Sequence, residues 1–260
     1  MDYLKLLENL SKKAMEELTV PPAKSIGVGL KNIIDICLFP VNMVGIYVNG
    51  ETEKYEKKIQ QKIEEIPSGN IDTSKWNLFL KTLEMSKYQL NESDLREAFA
   101  NLIAATVDDR FNTNITPRFA TVLSNLDTQD AQLLKEIDQS RNSEIYNVSG
   151  YVNFDTPVYI STPILYFDSE YKVLTDKEFT VNTLESLGIL KESEFDITID
   201  DIYDEAYTLL IVQINKQLDT KIPLDLNNKI KILNKKLTIT EFGKKFISCV
   251  VRNTNERIKE

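Results

Sequence analysis

The chain has 260 residues, 42% hydrophobic and 27% charged, with a net charge of −9; this is enough apolar material for one large or two modest domains and excludes wholesale disorder. It contains no histidine, which excludes Ser-His-Asp and Cys-His nucleophile pairs, imidazole bases and HExxH zinc sites. Its two cysteines, Cys37 and Cys249, stand far apart and outside any metal-ligand spacing, so reduced thiols in a cytoplasmic protein are expected rather than a disulfide scaffold.

Charge is unevenly spread. Lys216 to Glu260 holds 11 basic and 5 acidic residues, net +6, and residues 1–215 hold 20 basic and 35 acidic, net −15. The acidic bulk argues against general phosphate binding, whereas the basic tail has a surface character of its own.

The N-terminal stretch, about residues 2–18, reads as an amphipathic helix without the apolar core of a secretory signal, and it stops before Pro21-Pro22. Ser25 to Gly50 is dominated by apolar residues, with Gly27, Gly29 and Gly45 inside it. Lys31, Asp35 and Pro40 interrupt it and make it a poor transmembrane span. It reads either as a buried, kinked hairpin or as a segment that meets a membrane surface. Next, Tyr55, Ile59, Ile63 and Ile66 form one apolar stripe on a charged helix that ends at Pro67-Ser68-Gly69-Asn70. A helix from Thr73 to Tyr88 places Trp76, Phe79, Leu80 and Leu83 on one face, with the tryptophan in the core.

The central unit is a set of three capped helices. Asn91 or Ser93 is expected to cap the first, with Asp94 in its opening turn and Leu95, Phe99, Leu102, Ile103 and Thr106 as its buried stripe. Thr116-Pro117 opens the second, and Asp127 with Asp130 opens the third. Short connections make these a compact antiparallel cluster. Residues 141–175, rich in Tyr, Val, Ile, Pro and Gly, are expected to be a linker with short extended pieces. Beyond them lies a helix closed by Gly188, with Ile189 and Leu190 tucking back. A mainly helical stretch follows over 199–219, although its TLLIVQI centre also suits a strand. A hairpin around Asn234-Lys235 then leads to a helix from Thr240.

The expected architecture is mainly α: a helical domain over 1–140, the linker over 141–175, and a smaller α+β, winged-helix-like module over 176–260. In such a module the hairpin is the wing, and Lys229, Lys231, Lys235, Lys236, Lys244 and Lys245 are the candidate contacts for nucleic acid or a partner protein. Asp108-Asp109-Arg110 is a weaker candidate for a metal or phosphate site. Adjacent side chains on a helix diverge, so capping and ion pairing explain it better. No catalytic residue, cofactor site or metal site is expected.

The run LREAFANLIAATVDDRFN, then TPRFATVLSNLDTQDAQLLKEI, LESLGIL and LTITEFGKKFISCVV, resembles the bacterial abortive infection alpha family. The matching elements are the turn Ile66 to Ile71, the helix Leu95 to Ala104, the Pro-x-Phe helix from Pro117, Leu126 to Ala131, and the terminal run Leu237 to Cys249. The glycine-bearing apolar stretch before the charged helix is also similar to the family. Residues 146–172 and the long connection from Leu190 to Leu237 depart from its pattern.

The resemblance implies phage defence by arrest or death of the infected cell, and it carries no catalytic motif onto these positions. Membrane permeabilisation is one physical route to that end. The candidate effector segment is then Gly27, Gly29, Ile34, Leu38, Pro40 and Gly45, glycines allowing close packing and bending. The expected protein is cytoplasmic, peripheral to the inner membrane if that segment meets it, with a protein partner or phage component as its target. A nucleic-acid-binding regulator using the basic module is the alternative.

Overall fold

The computed structural model describes residues 51–141, 143–153, 157–170, 172–194 and 230–253, with Thr208 and Val212 as two further helical positions. The first expected helix, the apolar segment 26–49 and most of the stretch 199–219 lie outside the described residues. The chain divides into two compact units, residues 1–135 with 245–260 and residues 136–244.

In the first unit the helices are α1 (Glu51–Glu64), α2 (Trp76–Ser86), α3 (Ser93–Thr106), α4 (Pro117–Ser124) and the start of α5 (Thr128–Gln139). The α1 stripe is buried as its spacing predicts: Tyr55, Ile59 and Ile63 are all at or below 1% exposure. α3 is the central helix. From Ala98 to Thr106 every residue is buried, the signature of a helix enclosed by neighbours rather than lying on a surface. Trp76 is in the core and stacks on Phe79 with ring centroids 4.4 Å apart.

The caps differ in kind. Glu92, not Asn91 or Ser93, is the N-cap of α3, and its side chain makes no capping bond. At α5 the expected motif is present: Asp130 N donates to Asp127 Oδ1 at 2.9 Å, and Asp127 N donates to Asp130 Oδ2 at 3.0 Å. This reciprocal box satisfies two amides that a helix start leaves open.

The second unit holds a five-stranded antiparallel sheet in the order β3-β2-β1-β5-β4. Its strands are β1 (Ile145–Asn153), β2 (Pro157–Phe167), β3 (Lys172–Thr175), β4 (Leu190–Glu194) and β5 (Ile230–Ile239). The fold is therefore mainly α with a substantial antiparallel sheet. Two expectations are corrected. Residues 141–175 are not a linker: they supply β1, β2 and β3, because β1 finds partners on both sides, pairing Ile145 with Phe167 and with Leu237. There is also no hairpin at Asn234-Lys235. β5 runs straight through, pairing those residues with Val148 and Asn147. The tightest hairpin turns need positive φ, and among the described residues only Asp176 and Gly188 have it.

Between β3 and β4 lies α6 (Glu178–Ser186), and after β5 comes α7 (Glu241–Val250). Gly188, at φ 77°, ends α6 as expected: Ile189 N donates to Leu184 O at 2.9 Å and Gly188 N to Glu185 O at 2.8 Å. That pair of bonds is the left-handed glycine closure of a helix. The closure delivers Ile189 to the start of α7, where Thr240 N donates to Ile189 O at 3.0 Å and Thr240 Oγ1 donates to Gly188 O at 2.7 Å.

Candidate functional site

Asp108, Asp109 and Arg110 follow α3 directly and face the turn between α1 and α2. Asp108 is fully buried and takes a two-pronged bond from Arg110, Nε to Oδ1 at 2.7 Å and Nη2 to Oδ2 at 2.6 Å. Asp109 N donates to Asn70 O, Asp72 N donates to Val107 O, and Asn70 Nδ2 donates to Asp109 Oδ1, each at 2.9 Å. Asp72 accepts from Ser74 and from Asn112 Nδ2. Bonds from the Ser74 side chain and backbone, then from Asn112, hold the Asp72 carboxyl below the usual range. The carboxylates here are committed to donors within the fold. The arrangement straps two turns together and explains why an Ile-Pro-x-x-Asn-Ile turn and a Val-Asp-Asp-Arg turn occur in one chain. Among the described residues no group of three or more His, Cys, Asp or Glu could hold a metal ion.

Among the described candidate lysines, Lys235, Lys236 and Lys244 are each paired with a glutamate. Lys229 lies outside the described residues, and Lys231 sits in β5 opposite Tyr151. Lys235 bonds Glu192 at 2.6 Å, and Glu192 also accepts from Asn147. Lys236 and the Tyr146 hydroxyl both donate to Glu144. These two bonds, Lys236 first, hold the Glu144 carboxyl below its ordinary range; burial and the neighbouring carboxylate push the Tyr146 phenol up. Lys244 pairs with Glu241 one turn earlier in α7 at 2.7 Å, and Lys245 is exposed. Three of the six are therefore partly neutralised by glutamates. For two of these, the partner lies 43 or 92 residues away in sequence, beyond what a local charge count reveals.

The candidate effector positions Gly27, Gly29, Ile34, Leu38, Pro40 and Gly45 all lie outside the described residues. Among the described residues no helix is long and apolar enough to cross a membrane.

A pocket that the sequence reading did not single out lies beside the end of α2. It has a volume of about 470 Å³ and is lined by Lys81, Glu84, Met85, Lys87, Tyr88, Gln89 and Ser124. Its signal was present in the spacing: 81, 84, 85 and 88 follow the i, i+3, i+4, i+7 rule of one helix face, opposite the Trp76 stripe. Tyr88 is 70% exposed.

A model of the family described as abortive infection alpha matches residues 49–250. The chain belongs to the abortive infection alpha family. No curated protein and no solved structure matches it. The matched stretch takes in α1 through α7 of this family member, including the strapped turns, the α5 capping box and the Gly188 closure. It begins at residue 49, so the apolar segment 26–49 precedes it almost entirely.

Proposed function

We propose that this protein acts in bacterial abortive-infection defence against phage, by binding or membrane association rather than by catalysis. The observation that carries the reading is membership of the family over residues 49–250. In the proposed division of labour the helical and sheet units form the scaffold, and the apolar segment with Gly27, Gly29, Ile34, Leu38, Pro40 and Gly45 is the effector. A run of that composition, broken by Lys31, Asp35 and Pro40, suits interfacial association better than a single span. The decisive experiment joins a plaque assay to a membrane-potential dye, on wild type and on Ile34→Glu with Leu38→Glu. Protection and depolarisation are both lost in the variant at unchanged protein level. Full protection by the variant refutes the effector role of this segment.

A second reading, nucleic-acid binding through a winged-helix-like module, is supported by the order α6, β4, β5, α7 and the antiparallel β4–β5 pair. The glutamate partners of Lys235, Lys236 and Lys244 weigh against it, since phosphate would have to displace them. A salt-sensitive gel shift, absent in a Lys235→Ala, Lys236→Ala variant, supports this second reading.

A further inference from the structure

We propose that the pocket at the end of α2 binds a small anionic aromatic ligand of the nucleotide class, with its ring on Tyr88 and its phosphates on Lys81 and Lys87. The proposal stands apart from the effector segment and does not depend on it.

Size comes first. A volume of about 470 Å³ falls within the range of roughly 300–1,000 Å³ typical of small-molecule sites. Charge comes next. The lining holds two lysines and one glutamate, a net of +1 in a chain of net −9. Lys81 has no carboxylate partner among the described residues. Lys87 has a marginal one: its Nζ lies 3.6 Å from Glu84, whose side chain is 70% exposed. Lys87 itself is mostly covered, but a 3.6 Å pair whose carboxylate stands in water contributes little, so an incoming phosphate displaces Glu84 at low cost.

The end of α2 points carbonyls toward this region, which by itself disfavours an anion. Lys87, as the C-cap residue, offsets that partial negative charge, and Lys81 stands further back along the helix.

The aromatic part rests on Tyr88. It follows the last helical residue, Ser86, and its ring is left in water although neighbouring apolar side chains are buried. Lys87 Nζ lies 5.0 Å from the ring centroid, so a cation is already held against the aromatic surface. A base stacked on the phenol would place its attached phosphate near that same ammonium. Stacking on a protein aromatic is tolerant of base identity, and Gln89 supplies the one amide on the wall. Its Nε2 donates to Ser124 O at 3.4 Å, a long bond that leaves the side-chain Oε1 for a ligand donor.

The test is equilibrium dialysis of the full chain against ATP, with adenosine and inorganic triphosphate measured alongside. Wild type takes up ATP saturably at one site per chain, and both fragments bind more weakly. Tyr88→Ala weakens ATP binding about tenfold, the scale of one stacked base, and hardly changes the response to inorganic triphosphate. Lys81→Glu weakens both ATP and triphosphate. Both side chains lie at the surface, so the variants melt with wild type. Absence of saturable ATP uptake by wild type overturns the proposal, as does equal ATP affinity in wild type and Tyr88→Ala.

Discussion

Gly243 sits in the first turn of α7, where alanine is ordinarily the better helix former by about 1 kcal/mol. The structure reverses that expectation. A Cβ at this position would lie 2.2 Å from Ile189 O and 3.0 Å from both Ile189 C and Ile239 Cγ2. Ordinary contacts begin near 3.4 Å, so the overlap with the carbonyl oxygen is over 1 Å. A flexible side chain could swing away; this oxygen cannot. It accepts the Thr240 amide, while the Ile189 amide is bonded back to Leu184 in the glycine closure of α6. Relief therefore moves either α7 or the α6–β4 turn and disturbs bonds at both.

Overpacking of a fixed site costs about 1–3 kcal/mol, and a backbone obstacle belongs at the upper end. After subtracting the helix-propensity gain, Gly243→Ala destabilises by about 2 kcal/mol. In urea, with a slope of about 1–3 kcal/mol per molar, the midpoint falls by roughly 1 M. Gly69→Ala is the control. Nothing lies within 4 Å of its Cβ position, so its effect stays within about 0.5 kcal/mol. A Gly243→Ala protein as stable as wild type, with Gly69→Ala unchanged, refutes the close-approach argument.

Two further outcomes test the packing of the first unit. Asn101 is buried and donates to Val250 O at 2.9 Å and Val251 O at 3.3 Å, covering carbonyls at the end of α7; Asn101→Ala costs about 1–3 kcal/mol in urea unfolding. Asn101→Asp, which turns a carboxylate toward those carbonyls, costs more, and equal stability of the two variants would count against the cap. For pH, burial pushes the Glu97 carboxyl up, but the bonds from Lys58 and Lys62 override it and leave it below its ordinary value. Its folded pKa is depressed, so its contribution is present above the ordinary carboxylate range and lost as pH falls through the folded value. Glu97→Gln lowers stability at pH 7 by about 1 kcal/mol and flattens the acid limb of a stability-versus-pH curve. An unchanged limb would show that the lysines add nothing.

The helical half of the fold was legible because its signals are local. Four-residue spacing marks the Tyr55–Ile63 stripe, and the Asp127–Asp130 box and Gly188 closure are written within five residues of the helix ends they serve. The sheet was not legible for the opposite reason. β1 contains Gly150 and β2 contains Pro157, residues that read as punctuation until partner strands are known, and the second partner of β1 is β5, about 90 residues further along. The lysines show the same limit: their charge is visible in sequence, but Glu144 and Glu192 become their counter-ions only once the sheet has formed. The face of Lys81, Glu84 and Met85, continued by Tyr88 just past the helix end, was readable from its spacing and was obscured by the stronger Trp76 stripe of α2.

The placement of β5 between β1 and β4 also has a consequence for synthesis. β1 and β2 leave the ribosome as a pair, but Ile145 waits for Leu237, which at roughly 5–20 residues per second is a delay of several seconds. During that interval the inner edge of β1 offers unpaired amides and carbonyls to any strand nearby. The sheet of the second unit is thus completed only once β5, made well after β1, has emerged. A chain truncated before Ile230 would carry a permanently open strand edge and would also strip the first unit of α7, whose end Asn101 bonds, with self-association as its expected fate.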